Sequence, residues 1–412
     1  MTSKNIDREM ILLQKTVDEA DKKYSQKLTP KTHKIIKTVE DFISKNELIC
    51  YGGMAINNIL PKKVQFYKTN EFPDYDFFSN DALNDAKKLA DIYFKQGYGN
   101  VEAKSGVHLG TYKVYVNFFN IADVTQLDDI FFKNLKPKAI KKGNVLYAPP
   151  DFLRMSMYLE LSRPKGDTTR WEKVLPRLQL LNKYYPMKSK QCKQIKENLN
   201  SLQLNIYDTL KILLIKEKVI FFGGFADKLY SKYTKNKKQI SELMTLEVLS
   251  TNAKKITDNL KEQLKEFDVK INYLENIGGL IPEQYTITID DKLYAHIFQT
   301  DACYTYNKIK VDNKSVNIAT IFTMMSLYLI FIFNDNTNDI NNRIMCTANM
   351  LNNIYLRNRI SKRGILKNYT IKCIGEQETF EDILLEKKKA FKEIKKGDTK
   401  YEKYFLRYTP KK

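Results

Sequence analysis

Two stretches of this chain, 171 residues apart, read as copies of each other: LICYGGMA at 48–55 and VIFFGGFA at 219–226. At the same offset PDYDFFS (73–79) falls on MTLEVLS (244–250). Helix-like segments follow both, Ala86-Lys87-Lys88-Leu89 in the first half and, after a small shift, Ala253-Lys254-Lys255-Ile256 in the second. Each half then runs into strand-like sequence, TYKVYVNFF from Thr111 and YTITIDDKLYAHIF over Tyr285–Phe298. Self-similarity over such a distance predicts two modules of one architecture in tandem; chance similarity between short apolar runs is the alternative.

The first copy carries the chemistry. Asp74 and Asp76 lie one residue apart in an apolar run, and in an extended strand residues i and i+2 point to the same side. Two carboxylates so close call for a cation, or one of them takes up a proton. Mg²⁺ is a suitable cation, because it takes carboxylates together with phosphate oxygens. Gly52 and Gly53 could bring backbone N–H groups close to those phosphates. Thr111–Val124 alternates and is rich in β-branched and aromatic residues, which predicts one long strand ending in a third carboxylate, Asp123. Should that strand lie beside the Asp74/Asp76 strand, the three carboxylates could hold two divalent ions. One at a time these residues also have plainer readings: Asp74 as a turn residue after Pro73, Asp76 at a strand edge, Asp123 as a cap. In the second copy Thr245 and Glu247 stand where the first has Asp74 and Asp76, and Asp301 is the acid near the third position. That module is expected to be structural or to hold RNA.

The chain has 412 residues and a net charge of +21, from 69 Lys+Arg against 48 Asp+Glu. Such a surplus points to a polyanionic partner. The five cysteines are scattered and form no CxxC pair, so neither a disulfide framework nor a zinc site is expected, and the compartment is read as reducing. The N-terminus lacks the basic-then-apolar order of a signal peptide. Ile318–Phe333 is short for a membrane span and reads as a buried core helix over 315–333.

Residues 6–23 have the spacing of a surface helix. Thr29-Pro30 reads as cap and first turn of a second helix, with Ile35, Ile36, Val39, Phe42 and Ile43 on one face. Ser79-Asn80-Asp81 is expected to cap a helix over 81–96. From Ala148 the chain turns helical. A loop after Arg163-Pro164 and the helix beyond it carry Lys165, Arg170 and Lys173, which could meet a triphosphate or an RNA backbone. Arg343, Arg357, Arg359, Lys362, Arg363 and Lys367, set among tyrosines, and the run EKKKAFKEIKK (386–396) are consistent with a single-strand channel. The tail YEKYFLRYTPKK is expected to be mobile or packed through Phe405.

In its order Gly-Gly, DxD, strand Asp, and in the block YLELSRPKGDTTRWEKVLPRL, the chain resembles the poly(A) polymerase catalytic subunits of poxviruses and giant DNA viruses. These are polymerase-β-like nucleotidyltransferases. The resemblance covers roughly residues 45–300. It departs at Met54, where many relatives have a Ser or Thr hydroxyl, so phosphate contacts are expected to fall on backbone N–H groups, Lys and Arg.

The fold this implies is α+β: a nucleotidyltransferase module followed by a second, degenerate α/β copy, with helical flanks. The expected divisions are an N-terminal helical segment (1–45), the catalytic module (46–147), a helical connection (148–210), the degenerate module (211–335) and a basic C-terminal region (336–412). The implied activity is template-independent addition of AMP from ATP to mRNA 3′ ends, with two Mg²⁺ or Mn²⁺ ions held by Asp74, Asp76 and Asp123. Gly52, Gly53, Lys165, Arg170 and Lys173 would bind the nucleotide. The implied partners are single-stranded RNA and either a second copy or a viral stimulatory subunit, with no membrane. The implied location is the virion or the host cytoplasm, in viral factories. A CCA-adding or uridylyl-transferring enzyme, and an inactive RNA-binding scaffold, are the alternatives.

Overall fold

The computed structural model describes residues 3–24, 30–67, 73–190, 192, 196–234, 244–334 and 338–411. The predicted Thr29 cap and the start of the aspartate strand at Phe72 lie outside them. The chain divides into two compact units: Met1–Gln126 with Ala139–Tyr147 and Glu393–Lys412, and Leu127–Lys138 with Ala148–Lys392.

The first unit is built on strands β1 (Ile49–Cys50), β2 (Tyr75–Ser79), β3 (Val101–Ser105), β4 (Thr111–Val116), β5 (Phe119–Gln126), β6 (Ile140–Lys142) and β7 (Val145–Tyr147). They pair in the order β3-β4-β5-β2-β1-β7-β6. The single strand expected over Thr111–Val124 is instead the hairpin β4–β5. Its turn residues Asn117 and Phe118 have φ of 51° and 69°, as a two-residue loop matched to strand twist requires. No glycine marks the turn, and the Phe118 ring points into solvent, 81% exposed.

Helices Pro30–Lys45 and Ala82–Lys95 pack on this sheet. Their apolar spacing buries Ile35, Val39, Phe42 and Ile43 from one helix and Ala86, Leu89, Ala90 and Tyr93 from the other. Burying one such Leu or Phe completely stabilises by roughly 1.5–3 kcal/mol. The Tyr93 hydroxyl donates to the Ile35 carbonyl at 2.7 Å, tying the two helices together. The second helix is capped otherwise than expected. The Asp81 side chain caps nothing; Ser79 Oγ accepts from the Asp81 N–H at 2.9 Å, and Gln126 Oε1 accepts from the Ala82 N–H at 3.1 Å.

The C-terminal tail is part of this sheet. Arg407–Tyr408 pairs antiparallel with β3, Leu406 is buried, and the Tyr408 hydroxyl donates to Asp91 at 2.6 Å. The tail therefore packs through Leu406 and a strand, and it covers an edge that would otherwise offer unpaired backbone groups.

The second unit repeats the plan. Strands β8 (Ile220–Phe222), β9 (Leu246–Ser250), β10 (Val269–Leu274), β11 (Gln284–Ile289), β12 (Lys292–Gln299), β13 (Tyr304–Val311) and β14 (Lys314–Ala319) pair in the order β10-β11-β12-β9-β8-β14-β13. Strand for strand this is the order of the first sheet. Directions match as well: β8 is antiparallel to β9 and parallel to β14, as β1 is antiparallel to β2 and parallel to β7. The tight turn recurs at Asp290-Asp291, with φ of 48° and 61°.

The buried helix runs over Ile321–Asn334, because 314–319 forms β14. It packs against helices Pro150–Leu161 and Asn338–Arg357. No helix among the described residues is long and apolar enough to cross a membrane. Arg154, fully buried, ties helix Pro150–Leu161 to helix Trp171–Tyr184 through Asp151, Asn182 Oδ1 at 2.7 Å and the Tyr185 carbonyl. Contrary to expectation, four of the five cysteines pair, Cys192 with Cys346 and Cys303 with Cys373. The partners are 154 and 70 residues apart, so tertiary folding brings them together and no local spacing could have shown it.

Candidate active site

β2 and β5 are parallel neighbours, and their register sets Asp76 directly beside Asp123. Asp74 stands just before β2, at an exposed position. The Asn120 amide bridges the remaining gap, donating to Asp74 Oδ1 at 3.2 Å and to Asp123 Oδ1 at 2.9 Å. On the opposite side of β5 the hairpin sets Lys113 across from Asp123, and its ammonium is hydrogen-bonded to Asp123 Oδ2.

The electrostatics follow from this crowding. Partial desolvation, and then the charge of Asp123, raise Asp74 to about 6, with Lys113 opposing. Desolvation by itself would lower Lys113; the hydrogen bond and charge of Asp123 outweigh it and raise the ammonium. One proton or one cation too few is the condition this cluster is in.

Gly52 opens the helix Gly52–Ile59 with a φ of +72°, which favours glycine. A Cβ there would sit 2.5 Å from Asp76 Oδ2. The glycine thus lets the first turn of a helix close directly over a carboxylate. Tyr51, beside it, stacks on Phe78 at 3.8 Å and shares a 2.9 Å hydrogen bond with Thr125. Burial, and then the Asp76 charge, raise the Tyr51 phenol, so it stays neutral.

Gly52, Gly53, Asp74, Asp76 and Asp123 all belong to the first unit; Lys165, Arg170 and Lys173 belong to the second and are exposed. Arg170 is engaged by a forked pair of hydrogen bonds to Glu160, at 2.9 and 3.2 Å. Lys113, Asn120 and Tyr51 were not singled out from the sequence. Only the hairpin register shows the first two, and that register depends on a turn without the usual glycine.

Among the described residues no group of three or more His, Cys, Asp or Glu side chains stands in metal-holding geometry. The donor set nevertheless fits a hard divalent ion. It consists of carboxylate oxygens, the charge of Asp123 makes Asp74 costlier to ionise, and a lysine ammonium serves as counter-ion where a metal would.

Residues 37–167 match the family described as "Poly(A) polymerase catalytic subunit". A putative poly(A) polymerase catalytic subunit of African swine fever virus (strain Badajoz 1971 Vero-adapted) is 32% identical over 170 residues, 40% of this chain and 35% of the relative. The corresponding protein of Acanthamoeba polyphaga mimivirus is 29% identical over 178 residues, 42% of this chain and 30% of the relative. The matched region thus spans about a third of the length of these relatives. The crystal structure of the Megavirus polyadenylate synthase shares the fold, with a TM-score of 0.83 and 20% identity, over 99% of this chain and 86% of that one. With the Gly-Gly turn, the paired strand carboxylates and the two α/β sheets in place, residues 37–167 match the poly(A) polymerase catalytic-subunit family, and the chain as a whole shares the fold of the polyadenylate synthase.

Proposed function

We propose that the first unit adds AMP from ATP to the 3′ end of RNA without a template. The observation that carries this reading is the side-by-side register of Asp76 and Asp123, with Asp74 joined to them through Asn120. Magnesium or manganese held there would lower the pKa of the attacking 3′-hydroxyl and stabilise the pyrophosphate leaving group.

In this reading Asp74, Asp76 and Asp123 would hold the two ions. Lys113 and Asn120 keep the acids together and partly neutralised until they are loaded. Gly52 and Gly53 shape the triphosphate pocket, and N–H groups in the first helical turn point at anionic oxygen. Met54 offers no hydroxyl, so within the first unit phosphate contacts fall to backbone N–H groups of the first helical turn. The +21 net charge suits a single-stranded RNA substrate. A second copy or a viral stimulatory subunit is the proposed partner, and the virion or a cytoplasmic viral factory the proposed location, in keeping with the viral relatives.

The test is extension of a short RNA by the full chain with each NTP alone, in Mg²⁺ or Mn²⁺. ATP alone is expected to support long extension. Asp76→Ala should lower incorporation by about 10³-fold, the scale on which loss of a group stabilising developing charge is felt. Its RNA binding in a gel-shift assay should hold. Full activity of Asp76→Ala would overturn the reading. Incorporation only of CMP and AMP to a fixed length, or only of UMP, would assign a different terminal transferase.

A further inference from the structure

The second unit holds a cavity of about 280 Å³ at the place that corresponds to the acidic site of the first. Its walls include Gly223-Gly224, Glu247 and His296. In the parallel β9–β12 ladder Glu247 is the direct partner of His296, as Asp76 is of Asp123. The third position is therefore taken by His296 and not by the Asp301 expected from the sequence.

This is not merely a collapsed copy. Glu247 accepts from the Gly224 N–H at 3.0 Å. Asp227, 7% exposed, accepts from the Tyr328 hydroxyl through one oxygen at 2.7 Å, while its other oxygen, Oδ1, has no partner. His296 Nδ1 also has none. Unsatisfied buried polar atoms are costly, and here two of them, Asp227 Oδ1 and His296 Nδ1, belong to the wall of one cavity. Phe298 and Phe331, stacked 5.8 Å apart, contribute flat apolar surface to it. Ile340 is 39% exposed and Arg343 half-buried, so the cavity reaches solvent on their side. The volume is at the lower limit for ligand pockets, roughly 300 Å³, which suits one heterocyclic base and not a whole nucleoside triphosphate.

We propose that this cavity binds a nucleobase, presented by a free nucleotide or by an RNA strand. Burial raises Asp227 well above the usual carboxylate range and Glu247 to about 7. A carboxyl group held neutral both donates and accepts a hydrogen bond, and the amino/ring-nitrogen edge of adenine or cytosine answers that pair. The N–H/C=O edge of guanine or uracil answers the same pair. The phenylalanine rings supply stacking surface, and Arg343 supplies a cation for an attached phosphate. The inference does not depend on the activity proposed for the first unit.

His296 reports on the cavity. It is one of three histidines, and the other two, His33 and His108, lie in the first unit. The full chain, in buffer without divalent ions, is titrated with AMP, CMP, GMP, UMP and ribose 5-phosphate while the histidine ring signals are followed by NMR; His296→Asn assigns the signal. The nucleotides should move the His296 signal saturably, and ribose 5-phosphate, which carries no base, should not. Short oligo(A) moving it at lower concentration than AMP identifies an RNA strand as the source; AMP acting where oligo(A) does not identifies the free nucleotide. Arg343→Ala, at a half-buried site, should weaken AMP roughly tenfold and leave adenosine unchanged. Asp227→Leu should abolish both responses, and a melting curve checks that it folds. No shift of His296 with any nucleotide up to about 10 mM, the range of the weakest specific sites, or an equal response to ribose 5-phosphate, would overturn the proposal.

Discussion

The two units place the same elements around opposite electrostatics. In the first, Asp74, Asp76 and Asp123 face solvent at least in part and are balanced by Lys113. At the matching places the second has Thr245, Glu247, His296 and, across the hairpin from His296, Thr286. Burial holds Glu247 up at about 7 and His296 down at about 4, so both are pushed toward neutrality. One sheet order with one glycine turn can thus carry a site that gathers charge or one that expels it. Backbone register decides which positions meet; side-chain identity and solvent access decide whether a cation is wanted there.

The largest effect expected after the loss of Asp76 comes from the shared core. Helices Ala82–Lys95 and Ala253–Gln263 start 171 residues apart, so Leu89 corresponds to Leu260 and not to Ile256 as the AKK match suggested, and both leucines are buried. Leu89→Ala and Leu260→Ala should each cost about 2–5 kcal/mol. Calorimetry should show each lowering mainly the transition of its own unit; equal shifts of one shared transition would mean that the units do not melt separately.

A smaller effect concerns pH. Glu247 has its folded pKa raised from 4.5 to about 7. The folded chain keeps a proton that the unfolded chain loses, so stability falls as pH rises from 4.5 towards 7 and then levels off. The contribution is about 3 kcal/mol across that window. Glu247→Gln should flatten this part of the stability profile in urea titrations; an unchanged slope would mean that the carboxyl is not held neutral.

Next come the glycines. Gly52→Ala and Gly223→Ala both force a side chain into positive φ against a carboxylate, at roughly 1–3 kcal/mol. Both should lower the melting temperature, but only Gly52→Ala should also displace Asp76 and reduce incorporation. Last, Lys113→Met removes the charge that holds Asp74 down. The acid limb of the incorporation profile should move to higher pH, and an unshifted limb would separate Lys113 from the cluster.

Much of this was legible in the chain. The two Gly-Gly turns and the strand and helix after each showed the duplication because they keep one offset, with helix Gly52–Ile59 on Gly223–Tyr230 and β2 on β9. The neighbouring of Asp76 and Asp123 was a conditional expectation, and the β2–β5 ladder supplies the condition. What stayed hidden depended on features without a local signal. Asn117-Phe118 turns the chain without glycine, so Lys113 and Asn120 did not register as neighbours of Asp123. In the second copy the offset grows by two residues before β12, which sets the non-acidic His296 at the third place, while the acid sought there, Asp301, lies beyond the end of β12. The cysteine pairs are set by tertiary folding alone.

The strand Arg407–Tyr408 has a consequence in time. Its partner β3 is made some 300 residues earlier. At roughly 5–20 residues per second of synthesis, that edge waits about 15–60 s for its cover. During that interval the first unit can assemble its carboxylate cluster, but its outer strand stays open to other chains. Nascent protein is then most prone to pair wrongly at Val101–Ser105, and a ribosome stalled shortly before Leu406 would release a chain with its site formed and its edge bare.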